Sequence, residues 1–199
     1  MAKYSETIER LIEEFGKLPG IGSRTAERLA FHVLKSADDE AFALADALRD
    51  VKTRIHPCRV CFNLTEHDVC SICADPRRDR NVVCVVEQPK DLLAIEATGA
   101  YRGVYHVLMG QIAPLEGSEP EDLTLDALEQ RVRAGGIDEV ILATNPTVAG
   151  DGTALHVSNL LAPLGVRVTR LARGLPAGGQ IEYANKSILT DAITDRRNV

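Results

Sequence analysis

Residues 81–99 read NVVCVVEQPKDLLAIEATG, and their texture changes twice within nineteen positions. Val82 to Val86 has the β-branched composition of a strand, Lys90 to Thr98 has the composition of a helix, and Gly99 stands where that helix should end. The same alternation continues downstream. Val104 to Met109, Val140 to Ala143 and Val166 to Leu171 are strand-like, whereas Leu125 to Ala134 and Ala154 to Leu164 are helical, with Gly135, Gly136 and Gly165 at the expected helix ends. Strands alternating with helices in this way predict an α/β unit with a mainly parallel, Rossmann-like sheet. Glu87 closes the first strand, at the end of the sheet where open parallel sheets place their sites.

Upstream of this unit, residues 55–80 lose all periodicity and hold four of the five cysteines. Cys58-Arg59-Val60-Cys61 and Cys70-Ser71-Ile72-Cys73 form two C-x2-C turns separated by eight residues. Two residues between paired cysteines let a tight turn aim both sulfurs at one cation, and two such turns complete a tetrahedral thiolate shell. A closed shell leaves no position for water, so one zinc per chain is expected to be structural. Disulfides are disfavoured in a cytosolic chain, and a thioredoxin-like redox pair is disfavoured because neither turn leads from a strand into a helix. His56 and His67 lie nearby, but four cysteines already satisfy the metal. Cys84, inside an apolar strand, reads as a small buried hydrophobe.

Residues 1–54 have helical spacing instead. Ile8, Leu11, Ile12 and Phe15 follow Ser5 as a cap, and Ala26, Leu29, Ala30 and Val33 repeat the pattern from Ser23 to Leu34. Ser36-Ala37-Asp38-Asp39 has the form of a capping box opening a third helix through Leu44, Leu48 and Val51. Leu18-Pro19-Gly20-Ile21-Gly22 separates the first two helices and looks like the hairpin of a helix-hairpin-helix motif. There Gly20 and Gly22 would let the chain approach a phosphate, with Arg24 and Arg28 adding charge one turn apart. Such contacts read phosphate and not base sequence. A plain turn between packed helices with a solvated basic side is the other reading of these residues.

Composition narrows the function classes. The 199 residues are 45% apolar and 26% charged, with four Phe, four Tyr and no Trp, which suits a soluble globular protein and leaves few base-stacking platforms. No apolar run approaches a membrane span, and the N-terminus shows no signal sequence, so a cytoplasmic location is expected. The net charge of -6 excludes a uniformly basic nucleic-acid binder. Its distribution is uneven: Lys17, Arg24, Arg28 and Lys35 surround the single acid Glu27, whereas Glu116 to Glu129 holds six acids and no base. A local DNA-binding face is compatible with this pattern.

Glu87 followed by two aspartates after a later strand would make a magnesium site for phosphoryl transfer. Here the later strand runs into Thr144-Asn145-Pro146-Thr147, and Asp151, in Gly150-Asp151-Gly152, reads as a cap for the next helix. His32, His106 and His156 are scattered, and Gly178-Gly179 lacks a P-loop context.

The order of helix-hairpin-helix, four-cysteine finger, α/β unit with Glu87, Ala143-Thr144-Asn145-Pro146-Thr147 and Arg173-Gly174-Leu175-Pro176-Ala177-Gly178-Gly179 resembles the RecR family of bacterial recombination mediators over essentially the whole chain. The resemblance implies four regions: 1–54 for DNA binding, 55–80 as zinc finger, 81–172 as a non-catalytic Toprim domain, and 173–199 as a Walker-B-like tail. It further implies a non-enzymatic adaptor of DNA repair that acts with RecO and RecF to load RecA on gapped or single-stranded DNA, as a ring-shaped tetramer. Partners would meet the surface around Glu87, Asn145 and Asp151. The family usually reads Val-Glu-Gly-Glu-Ala-Thr-Ala where this chain has Val148-Ala149-Gly150-Asp151-Gly152-Thr153-Ala154, and Gln180 replaces an Asp of the tail. A magnesium-dependent Toprim nuclease is the alternative, separated from the adaptor by the missing aspartates.

Overall fold

The computed structural model describes residues 4–196, and its packing divides the chain after Ile55 into two units. The first is helical: α1 spans Glu6–Gly16, α2 Ser23–Lys35 and α3 Asp38–Arg54. α1 and α2 pack together through the face of α2 that carries Ala26 and Ala30, both 1% exposed and one turn apart. Small side chains at that spacing let two helix backbones approach closely. Tyr4 closes one end, stacking edge-on against Phe31 at 5.1 Å and donating to Glu27 at 2.6 Å. α3 buries no residue, and its Phe42, Leu48 and Val51 are exposed.

The expected capping box at Ser36 does not form. Ser36 ends α2 and its hydroxyl donates back to the carbonyl of Val33, so Ala37 occupies the cap position of α3 without a side-chain bond. With so few residues between two helices, the serine serves the one it ends.

The second unit begins with a short antiparallel pair, β1 His56–Pro57 and β2 Leu64–Thr65, and a single turn, α4 Ser71–Ala74. The α/β part follows as β3 Asp79–Val86, α5 Pro89–Ala97, β4 Gly103–Val107, α6 Leu125–Arg133, β5 Glu139–Leu142, α7 Val148–Leu161 and β6 Arg167–Arg170. The sheet is parallel throughout, in the order β4-β3-β5-β6, as the alternation predicts. Period-two alternation along β3 divides the core. Val83 and Val85 meet Leu125, Leu128 and Val132 of α6 with Ala154, Val157 and Leu161 of α7, whereas Cys84 and Val86 meet Leu92 of α5 with Tyr105 and Val107 of β4. Each fully buried Leu or Val here contributes about 1.5–3 kcal/mol relative to exposure. Gly99, Gly135, Gly136 and Gly165 all take the left-handed backbone that ends a helix.

Two local expectations are corrected. α7 begins six residues earlier than the periodicity suggested, because Thr147 caps it by accepting from the N–H of Gly150 at 3.0 Å; Asp151 therefore lies inside the first turn and is not the cap. The sequence after the Gly/Pro-rich segment Gly174 to Gly179 reads as a short polar tail, but it forms a helix. Asn185 caps α8, Lys186–Thr194, by accepting from the N–H of Ile188 at 2.9 Å. Among the described residues no helix is long and apolar enough to cross a membrane.

Candidate functional site

The two C-x2-C turns converge. The four sulfurs of Cys58, Cys61, Cys70 and Cys73 lie within 4.8 Å of one another, and all four residues are buried. Ligands about 2.3 Å from a zinc ion stand roughly 3.8 Å apart at tetrahedral corners, so the set fits the ion. The backbone explains the convergence. Phe62 takes a left-handed conformation with its N–H on the carbonyl of Cys58, turning the first knuckle, and Ala74 closes the second on the carbonyl of Cys70. The N–H of Cys70 donates to the sulfur of Cys58 at 3.3 Å, the kind of bond that stabilises a thiolate. Among the sulfurs, Cys70 is held far down towards thiolate by its hydrogen bond to Cys61 and then to Cys73, and Cys61 is pushed up in return. Cys84 stands apart on the sheet, where burial alone pushes its thiol up to about 12.

The finger is part of the α/β unit's packing. Phe62 and Ile72 lie against the Cys84–Leu92 side of the core, and the N–H of Val107 on edge strand β4 donates to the carbonyl of Cys61 at 2.8 Å. The finger thereby occupies hydrogen-bonding positions that an open edge would expose. Arg78, on the way out of the finger, pairs with Glu96 of α5, which also accepts from Tyr105 at 2.6 Å. Arg131 of α6 donates to the carbonyl of Tyr105 at 2.7 Å and reaches the carbonyl of Val60 at 3.5 Å. Neither arginine was singled out in the sequence. Their spacing carries no motif, and their roles exist only once the finger and the sheet meet.

At the C-terminal end of the sheet, Glu87 is only 4% exposed. Its two oxygens accept from Asn145, one from the backbone N–H at 2.8 Å and one from the side-chain amide. Asn145 itself is exposed. Gly150 makes the close approach: a Cβ there would lie 2.1 Å from the carbonyl oxygen of Asn145 and 2.8 Å from Glu87. Asp151 has different company, pairing with Arg170 and Arg173, and the hydrogen bond from Arg173 holds its carboxyl below the usual range. So Glu87 and Asn145 form one contact, Asp151 forms another with Arg170 and Arg173, a pairing that the sequence did not show, and among the described residues only the four cysteines form a cluster suited to a metal.

In the helical unit, Gly20 has the left-handed φ of +80° and the N–H of Ile21 closes the turn on Leu18 at 3.1 Å. Gly22 is the N-cap of α2, with no side chain over the first turn, and Arg24 and Arg28 are both exposed. Free N–H groups at a helix start, beside two cations, form an electropositive surface suited to an anion.

Comparison with known proteins divides the chain along the same elements. The helix-hairpin-helix model of RecR matches residues 8–52, the four-cysteine zinc finger model of RecR matches 55–75, and the Toprim domain model matches 81–172. Curated relatives named Recombination protein RecR are 52% identical in Rhodopirellula baltica and 55% identical in Rubrobacter xylanophilus, in each case over 199 residues and the full length of both chains. The relative of that name in Chloroflexus aggregans is 56% identical over 192 residues, 96% of this chain and 94% of its own. With a four-cysteine zinc finger and identity of this extent over the whole length, the chain belongs to the RecR family.

Proposed function

We propose that the protein is a non-enzymatic, DNA-binding adaptor of recombinational DNA repair in the cytoplasm, acting with RecO and RecF to load RecA on gapped or single-stranded DNA. The hairpin carries this reading: Gly20 and Gly22 bring backbone N–H groups to the surface beside exposed Arg24 and Arg28, and a helix start without a side-chain cap suits a phosphate. The four regions take the division implied by the family, with 1–54 on DNA, 55–80 holding zinc, 81–172 meeting protein partners and 173–199 as the tail. Partners meet the exposed Asn145 and the half-buried Asp151, and Glu87 acts from beneath by fixing the position of Asn145. Each hairpin offers few cations, so a ring-shaped tetramer that presents several hairpins to one DNA would combine weak sites into useful affinity.

The test is RecA nucleation on gapped DNA coated with single-strand-binding protein, with RecO and RecF present. Loading that requires this protein, with no strand cleavage in magnesium or manganese, is the expected result. Cleavage that disappears in Glu87→Gln would replace the adaptor with a Toprim nuclease, and loading indifferent to the protein would remove its mediator role.

A further inference from the structure

Arg131 sits half-buried on α6 with no carboxylate in salt-bridge distance among the described residues. Its guanidinium faces two carbonyls, Tyr105 on the edge of the sheet and Val60 inside the first knuckle. It lines a cleft of about 310 Å³ together with Cys73, Val60 and Arg80. A cation withdrawn from water without an anion is costly. The arrangement is reasonable only if the anion is the finger itself. Four thiolates around one dication carry about two net negative charges. Arg80 stands on the same side, donating from its guanidinium to the carbonyl of Cys73 at 3.2 Å.

We propose that Arg131 is the positioning residue of the zinc finger, the half-buried counter-charge of the tetrathiolate, which joins the metal centre to strand β4 through the carbonyls of Val60 and Tyr105. The consequence is mutual dependence. The zinc-loaded finger neutralises a cation that the α/β unit would otherwise hold unpaired, and the cation offsets the negative charge that four thiolates bring to the metal centre. Arg80, acting through a ligand's carbonyl, is the weaker contributor to the same effect. Other arginines near the finger lack this geometry. Arg77 and Arg78 have carboxylate partners in Asp75 and Glu96, and Arg133, further along α6, is exposed and paired with Glu129.

The experiment is the rate of zinc transfer from the full-length holoprotein to an excess of a coloured chelator, for Arg131→Met, Arg131→Lys and the control Arg133→Met, with circular dichroism on each. Loss of a supporting group just outside a metal's ligands typically costs about tenfold to a hundredfold in metal affinity. Arg131→Met is therefore expected to release zinc at least about tenfold faster than wild type, Arg133→Met at the wild-type rate, and Arg131→Lys within about threefold of wild type, because it keeps the charge and gives up the fork. Wild-type release from Arg131→Met would overturn the assignment. So would equal acceleration in the Lys and Met variants, which would make the residue a packing element and not a counter-charge. If Arg131→Met does not fold, Arg131→Lys decides alone: near-wild-type release supports the counter-charge, and tenfold acceleration rejects it.

Discussion

The helical unit and the α/β unit are held by different means. In the α/β unit Tyr105, Leu92, Leu108, Leu128 and Leu161 are completely covered, and the cysteines, Glu87 and His106 are buried with them. In the helical unit, among the described residues, only Ala26 and Ala30 are buried, while Leu34, Phe42, Leu48 and Val51 are each about 60% exposed or more. The α/β unit encloses its chemistry in its own core; the helical unit turns its cations and much of its apolar surface outward. Substitutions in the former should therefore be felt as stability, and those in the latter as binding. Exposed apolar surface of this kind is what a protein interface uses, in keeping with the proposed oligomer.

The largest effect expected on the α/β side comes from the metal. The protein purified without chelator should contain one zinc per chain, and Cys58→Ser combined with Cys61→Ser should abolish it, unfolding the finger while the helicity of the first unit persists. Structural zinc contributes on the order of 10 kcal/mol of binding free energy to such folds. Metal analysis with hydrogen exchange on residues 56–78 checks this, and Cys84→Ala should leave the zinc content unchanged.

Next in size is the glycine beneath Glu87. A methyl group at Gly150 would collide with the carbonyl of Asn145 and with Glu87 itself, so Gly150→Ala should destabilise by about 1–3 kcal/mol and displace Asn145. Two residues on, nothing lies within 4 Å of a Cβ at Gly152. Gly152→Ala inside the same helix should instead stabilise by about 0.5–1 kcal/mol. Opposite shifts in Tm for the two variants would confirm that the close approach, and not helix propensity, sets the choice of Gly150.

These residues also show where the sequence could and could not be read. The parallel sheet was legible because β-branched runs and terminal glycines are local signals, and the cysteine cluster because covalent spacing alone brings the sulfurs together. Thr147 as cap, the Asp151–Arg170–Arg173 pairs and Arg131 were not, because each depends on which distant element folds back to meet it. α8 was missed although Asn185 carried an ordinary cap signal, since the Gly/Pro-rich segment before it reads as a tail. The exposed face of α3 is the reverse case. Its periodicity announced a helix correctly but could not say that nothing in the described chain buries Leu44, Leu48 or Val51.

A pH effect of comparable size belongs to His106. Its Nε2–H donates to Thr124, its Nδ1 has no partner, and burial holds its pKa down at about 4. The unfolded chain takes this proton near pH 6.5, whereas the folded one resists until about pH 4. Stability is therefore fully present above pH 6.5, is lost as pH falls between those values, and loses no more from this group below about 4, for a total of about 3–4 kcal/mol. His106→Leu should flatten this part of the pH profile relative to wild type. Thiolate protonation at the finger is common to both proteins and cancels in the difference.

The smallest expected effect on stability is the most telling for function. Arg24 and Arg28 are exposed and neither has a carboxylate partner among the described residues, so Arg24→Ala with Arg28→Ala should change Tm by less than about 1 °C, well within the range of neutral surface changes. Its effect should appear on DNA. Each cation that neutralises a phosphate releases counterions and contributes about 0.9 to the slope of log affinity against log salt. Removing two from every engaged hairpin should therefore flatten that slope by about two per hairpin, with zinc content and sedimentation unchanged. If several hairpins contact one DNA, the loss multiplies with their number, and splitting the oligomer by removing residues 173–199 should weaken binding although both arginines remain. Retention of labelled duplex across a salt series, run beside sedimentation, measures both. A double variant that binds DNA at full strength, or a monomer that does, would mean that the helical unit's outward charge is surface only, and the contrast between the two units would no longer be one between binding and stability.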